Sequence, residues 1–588
     1  MAHELIISDF SAAVLEKERL STKSLPDRWE TVTYETAEID GTLLIASEQS
    51  DPQPVTVDPA LSGWYRIYAC MTELGGGNYI ELKLTDDEFP TTAAPGKISR
   101  YTRWIASEKA EEAFLKCADM TGQRVTISKS KNGIPHTANL LWLRFIAMND
   151  DEVEKELARR ADLSRKTMLA HMDGDFHGRD HAIEPRDYCK ALYAMQDSDV
   201  GIVSVEVMND LVDYSEIDAP YAPRAAGAEK RMAYFRHLSE HRGDVYPEMI
   251  SYAHEKHMKL FAAHRMQLSC FAFPYENPTF TIPFVGAHPE YRCVARDGSV
   301  VDFLSYAYDE VQDFMIENIL ESARFGFDGV HLIFDRGQHL LFEKPVEERY
   351  RAKYGGDDFF RLPLDDARLV GVRSEILTEF LMKLRRALED HAQKNHTDPM
   401  KIYITSYFTY EDSLLDGLDV ERFAAAGAID GVIQAKMRVW EDLDGVLAED
   451  GLIDLPKYIE KAKTEYIILR EHTSNMERIV EGLSKLREIA DRYDLAFYSE
   501  NQWENAQPAE AYVKAAKSLY RAGCKGIALW DCYPARVHNI GEWSATAHLG
   551  KAEDVFAMSE ERDAYHKIVK VLSYGGKNVL YYHPSWRG

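Results

Sequence analysis

From residue 165 onward, short β-branched or aromatic runs alternate with long amphipathic stretches. The runs are TMLAHMDGDF (167–176), VGIVSVEVMND (200–210), KLFAAHRM (259–266), GVHLIFDRG (329–337), KIYITSYF (401–408), GVIQAKM (431–437), LAFYSENQ (495–502) and GIALWDC (526–532). Between them lie helical patterns such as EVQDFMIENILESARFGF (310–327) and RSEILTEFLMKLRRALEDHAQ (373–393). Apolar runs of this kind belong to strands covered on both faces, hence to a parallel sheet. Eight of them, each followed by a helix, predict a (β/α)8 barrel. TEYIILREH (464–472) also reads as strand and makes a ninth candidate. LAFYSENQ is kept as the seventh because the long helix NMERIVEGLSKLREIADRY (475–493) directly precedes it. Two junctions share an Asp-Gly step into a strand, F-G-F-D-G-V (325–330) and A-I-D-G-V (428–432), where glycine is expected to take a backbone geometry that other residues resist.

Before residue 150 the apolar runs are shorter and broken by Gly, Pro, Asn and Asp. YIELKLTD (79–86) alternates at period two, and GGGN (75–78) and KNGIP (131–135) supply turns. The reading is an antiparallel β-sandwich over 1–150, accessory and carbohydrate-binding-like. A charged helical connection follows over 151–164, then a barrel with a C-terminal extension over 165–588. The tail SYGGKNVLYYHPSWRG is expected to pack on the barrel or a partner subunit.

Composition removes several alternatives. With 69 Lys+Arg against 97 Asp+Glu, the 588-residue chain carries a net charge of −28, which opposes nucleic-acid or anionic-membrane binding. No run approaches the length of a membrane span. MAHELIISDF lacks a basic stretch followed by an apolar one, so a cytoplasmic location is expected, or a secreted or periplasmic one had a leader been removed. The seven cysteines, odd in number and without a CxxC pair, read as reduced thiols. Large barrel enzymes are commonly symmetric oligomers, so a homo-oligomer is compatible with the chain.

Barrel active sites lie at the carboxyl ends of the strands, and here those ends carry many ionisable groups. Strand one ends in His171, Asp173 and Asp175, with His177 following; strand two in Glu206 and Asp210; strand three in His264 and Arg265. Strand four ends in Asp335 and Arg336, strand five in Tyr407, strand six in Lys436 and Arg438. Strand seven ends in Glu500, Asn501 and Trp503, strand eight in Trp530 and Asp531.

Paired carboxylates suit glycosidic cleavage, one protonating the leaving oxygen while the other attacks or activates water. Asp335 and Glu500, on strands nearly opposite around the ring, form the best pair. A turn residue and a loop cap are the plain structural readings of the same two groups. HxDxDxH could ligate a divalent metal, yet alternate residues on a strand face alike and equally make a sugar-hydroxyl clamp. Trp503, Trp530, Tyr407, Phe408, Tyr410 and Tyr533 are the candidates for stacking on sugar rings. No phosphate loop and no Ser nucleophile elbow occurs, and Cys532 reads as a buried bystander more readily than as a nucleophile.

LFAAHRM, FGFDGVHLIFDRG, YSENQWENAQP and GIALWDCYP give residues 165–535 a pattern that resembles the glycoside-hydrolase-like TIM barrels of bacterial carbohydrate-utilisation systems. In related retaining glycosidases the acid/base ends strand four and the nucleophile ends strand seven, so the resemblance implies Asp335 as acid/base and Glu500 as nucleophile. Phe334-Asp335 stands where an Asn-Glu pair is usual, and in other barrel glycosidases a strand-four Asp is the nucleophile. The two roles therefore stay open between the pair.

The expectation is a glycoside hydrolase without cofactor or metal. Asp335 and Glu500 are expected to be catalytic, and His171, Asp173, Asp175, Glu206, His264, Arg265, Arg336, Tyr407, Lys436, Trp503, Trp530 and Asp531 to bind a carbohydrate. Arg265, Arg336, Lys436 and Arg438 add the expectation of a carboxylate or sulfate on the substrate. The competing readings are a non-catalytic sugar-binding barrel and metal-assisted hydrolase or lyase chemistry at His171, Asp173 and His177.

Overall fold

The computed structural model describes residues 4–72, 78–95, 108–130, 136–173, 184–207, 228–268, 283–334, 339–356, 358–435, 472–501, 509–530, 532 and 540–578. Eight parallel strands close into a barrel: Met168–Met172, Val200–Glu206, Lys259–Arg265, Gly329–Ile333, Lys401–Ser406, Gly431–Gln434, Ala496–Glu500 and Gly526–Leu529. They coincide with the eight runs read from the sequence, and the first and eighth pair directly through Leu169–Ala528 and Ala170–Leu529. The ring closes without the ninth candidate, which lies almost wholly outside the described residues. Helices Asp309–Phe325, Ala367–Asn395 and His472–Tyr493 cover the expected segments.

In F-G-F-D-G-V, Gly326 closes the preceding helix in the left-handed region (φ 91°), as expected of glycine there, but the glycines that follow the aspartates work differently. Gly329 and Gly431 do not adopt positive φ. Each begins a strand beside an aromatic residue of the preceding strand, and a Cβ would lie 2.6 Å from the Phe261 ring or 2.7 Å from the Tyr403 ring. The aspartates hold the neighbouring strand: Asp328 accepts from the Leu260 N–H (2.8 Å) and Asp430 from the Ile402 N–H (2.9 Å). Close ring packing, not backbone freedom, selects glycine here.

Apart from a two-stranded hairpin, Arg292–Val294 with Val300–Leu304, the other described strands form two largely antiparallel sheets. The larger runs Glu4–Ile7, Trp142–Ala147, Trp64–Thr72, Lys109–Asp119, His566–Tyr574, Trp29–Thr36, Asp40–Ala46, Ala138–Leu140, and the smaller Val55–Val57, Val125–Lys129, Ile80–Leu84, Thr91–Ala93. Leu44, Ile67, Met71 and Phe145 of the first share one core with Val57, Ile80, Leu82 and Ile127 of the second. His566–Tyr574 sits between Lys109–Asp119 and Trp29–Thr36. This strand completes the N-terminal sheet, and the first residues of the tail, 573–578, lie in it, while the rest of the segment expected on the barrel or a partner subunit lies outside the described residues.

Helix Asp150–Ala161 connects the sheets to the barrel and begins with a reciprocal cap, Asn149 and Glu152 each bonding the other's backbone N–H. A second tie is the loop after Ile80–Leu84. Asp87 accepts from Lys116 (2.5 Å) and the Tyr193 hydroxyl (2.9 Å), and Glu88 from the Tyr252 hydroxyl (3.0 Å) and Arg186. Phe89 packs edge-on against Tyr193 and Tyr252. Six cysteines are free and buried, Cys270 lying outside the described residues. Among the described residues no helix is long and apolar enough to cross a membrane.

Candidate active site

Strand alternation sorts the barrel residues into two sets. Leu169, Ile202, Phe261, Tyr403 and Ala528 cluster inside the ring. Residues two and four positions further along each strand share that inward face. His171 and Asp173, Ser204 and Glu206, Ala263 and Arg265, His331 and Ile333, Thr405, and Trp530 follow on their strands in this way, and Glu500 follows inward-packed Tyr498.

At the carboxyl end these side chains form a connected polar group. Arg265 Nη2 lies 2.6 Å from Glu206 Oε1 and 3.6 Å from Asp173 Oδ2. His171 Nε2 stands 3.5 Å from the same Glu206 oxygen. The Trp530 ring covers His171 at 4.0 Å between centroids, tilted 38°, and Trp530 itself clusters with Ala263 and Ile333. One layer deeper, His331 bonds the Ser204 hydroxyl through Nδ1 and the Thr405 hydroxyl through Nε2, both at 2.8 Å. It thereby ties strands two, four and five across the ring interior, since a polar layer this deep requires every donor and acceptor to be met.

Glu500 ends strand seven with only 3% of its surface exposed. The chain beyond it is held by Asn501, whose N–H donates to Ala528 O (3.0 Å) and whose side-chain amide donates to Tyr512 O (3.1 Å). Its expected partner Asp335 lies outside the described residues, as do Asp175, His177, Asp210, Arg336, Lys436, Arg438, Trp503, Asp531 and Tyr533.

Several expectations change. His264 follows outward-facing Ala262 by two positions, so it points away from the mouth. It is buried against helix Asp309–Phe325 with Nε2 3.0 Å from the Ser322 hydroxyl, and burial pushes its pKa down to about 3. Tyr407 and Phe408 are 1% exposed and belong to the core between barrel and helices instead of a sugar platform. Tyr410 donates to Asp419 (2.7 Å). His171, expected as a hydroxyl clamp, has no exposed surface beneath Trp530. Arg265 is engaged by Glu206 and Asp173, so it is not the open anion receptor expected of it. Cys532 is a buried residue whose N–H donates to His171 O (2.7 Å).

His331, Ser204 and Thr405 escaped the sequence reading. The signal was present: a lone imidazole in GVHLI, two residues before an inward Ile, meets hydroxyls at the same depth on strands two and five. Among the described residues no group of three or more His, Cys, Asp or Glu could hold a metal ion.

No family model matches the chain, and no curated protein matches it either. Solved structures with similar features include the glycoside hydrolase domain of PgaB (BpsB) from Bordetella bronchiseptica, at 14% identity, 62% of this chain, 93% of that one and a TM-score of 0.38. The α-galactosidase TtGalA from Thermus thermophilus is 10% identical over 89% of this chain and 95% of that one, with a TM-score of 0.33. The glycoside hydrolase domain of PelA from Pseudomonas aeruginosa is 11% identical over 63% and 95%, with a TM-score of 0.28.

Proposed function

We propose that this chain is a glycoside hydrolase whose reaction is carried by Glu500 and Asp335 at the carboxyl end of the barrel. The observation that carries the reading is the nearly buried Glu500 carboxyl on the inner barrel face, ending a strand of the same ring whose mouth holds Glu206, Asp173 and Arg265. Cleavage of a glycosidic bond needs one carboxyl group to protonate the leaving oxygen and another to attack or to activate water. Glu206 and Asp173, oriented by Arg265, supply acceptors for sugar hydroxyls. The Ser204–His331–Thr405 layer beneath ties strand two, which carries Glu206, to strands four and five.

The test is a screen of aryl glycosides and oligosaccharides with the product anomer followed by NMR, repeated for Glu500→Gln, for Asp335→Asn and in the presence of chelator. A hydrolase loses about 10³-fold or more in turnover in either variant while keeping affinity, and ignores the chelator. Turnover undiminished in both variants would overturn the reading. A chain that binds sugars without turning any over is the non-catalytic alternative, and loss of activity on chelation is the metal-assisted one.

A further inference from the structure

We infer that the barrel mouth discriminates against anionic sugars, and that Glu206 is the residue that decides it. The inference rests on the mouth being a sugar site, as proposed above, and not on hydrolysis itself. Among the described residues Arg265 brings a cation to this mouth, and its guanidinium meets Glu206 at 2.6 Å and Asp173 at 3.6 Å. All three side chains keep some exposure, 22% for Arg265, 14% for Glu206 and 25% for Asp173, so the group faces the mouth instead of being sealed beneath it. Glu500 adds a further carboxyl group to the same inner face.

A uronate or sulfate approaching Arg265 must compete with Glu206 at Nη2 or, bound through the other guanidinium nitrogens, stand beside the resident carboxylates. At the reduced dielectric of a barrel mouth, such like-charge contact costs far more than in water. A neutral ring meets no such opposition and finds acceptors for its hydroxyls. Specificity here comes from repulsion built against one class of ligand, with Arg265 compensating the protein's own acids.

The experiment is calorimetric titration of the full chain with methyl glucoside and methyl glucuronide, then with the galacto and manno pairs. Wild type binds a neutral glycoside at least about tenfold more tightly than its uronide. Glu206→Gln keeps the shape, releases the guanidinium and lowers that ratio by about tenfold or more. Glu206→Asp keeps the charge and the discrimination, which separates a charge effect from a folding defect, and melting curves check that each variant is folded. A wild type that prefers the uronide, a ratio untouched by Glu206→Gln, or binding of no pair at all overturns the inference. Selective binding without turnover of any glycoside defeats the hydrolase reading and leaves this one standing.

Discussion

Gly431 is the register partner of Tyr403, and a Cβ on that glycine would come within 2.7 Å of the tyrosine ring. The same relationship joins Phe261 to Gly329 and Tyr498 to Gly526. Strands three, five and seven thus bring a ring to the barrel floor, and strands four, six and eight make room for it, a layering by alternate strands. Gly431→Ala should destabilise the protein by about 1–3 kcal/mol through overpacking. Tyr403→Leu in the same chain should recover part of that loss, giving a non-additive double-mutant cycle in urea unfolding. A neutral Gly431→Ala would show that the ring yields freely.

His264 makes stability depend on mildly acid pH. Burial lowers its folded pKa to about 3 from the ordinary 6.5, so between those values the unfolded chain binds a proton that the native chain refuses. Stability should fall as pH drops through that window, by about 1.4 kcal/mol per unit for this group. Denaturant midpoints measured from pH 7 to pH 4 should slope less steeply in His264→Gln than in wild type. Parallel slopes would remove the assignment.

Asp199, just before strand two, locks the floor of the barrel. Arg165 reaches both its oxygens (3.1 and 3.2 Å) and the Gly550 N–H donates to it (3.0 Å). Burial pushes its pKa up, but His548, Arg165 and the Gly550 N–H outweigh that and hold it below the ordinary 3.8. Its contribution is therefore present above that ordinary value and is lost as pH falls through the lower folded one. Asp199→Ala should cost about 1–3 kcal/mol at neutral pH, since it leaves the Gly550 N–H without its acceptor and Arg165 with Asp554 as its remaining carboxylate. Thermal unfolding would contradict this if the variant melted like wild type.

Phe89 joins the sheets to the barrel through Tyr193 and Tyr252. Phe89→Ala should cost about 2 kcal/mol. Calorimetry of this variant should show the single transition broadening or dividing as sheets and barrel uncouple, while barrel residues keep their near-UV signature. A sharp transition at the wild-type temperature would place the coupling elsewhere.

The eight barrel strands were legible because each is an apolar run between amphipathic helices, a one-dimensional pattern that survives without knowledge of neighbours. Glu206, Arg265, Asp173 and Glu500 were legible as strand ends for the same reason. His264 and Arg265, adjacent in the chain, show where that legibility stops: alternation puts one behind the sheet against Ser322 and the other into the mouth beside Glu206. Tyr407 and Trp530 were equally plausible sugar platforms, and packing buried both.

Local pattern determined the number of barrel strands, their order and the helices between them, because period-two and amphipathic signals are written residue by residue along the chain. Tertiary structure alone decided that His566–Tyr574 returns to the N-terminal sheet, that glycine answers an aromatic ring across the barrel floor, and that Arg265 is satisfied by carboxylates of two other strands. Each of those is a contact between segments far apart in sequence, settled by which backbone edges and charges meet in space.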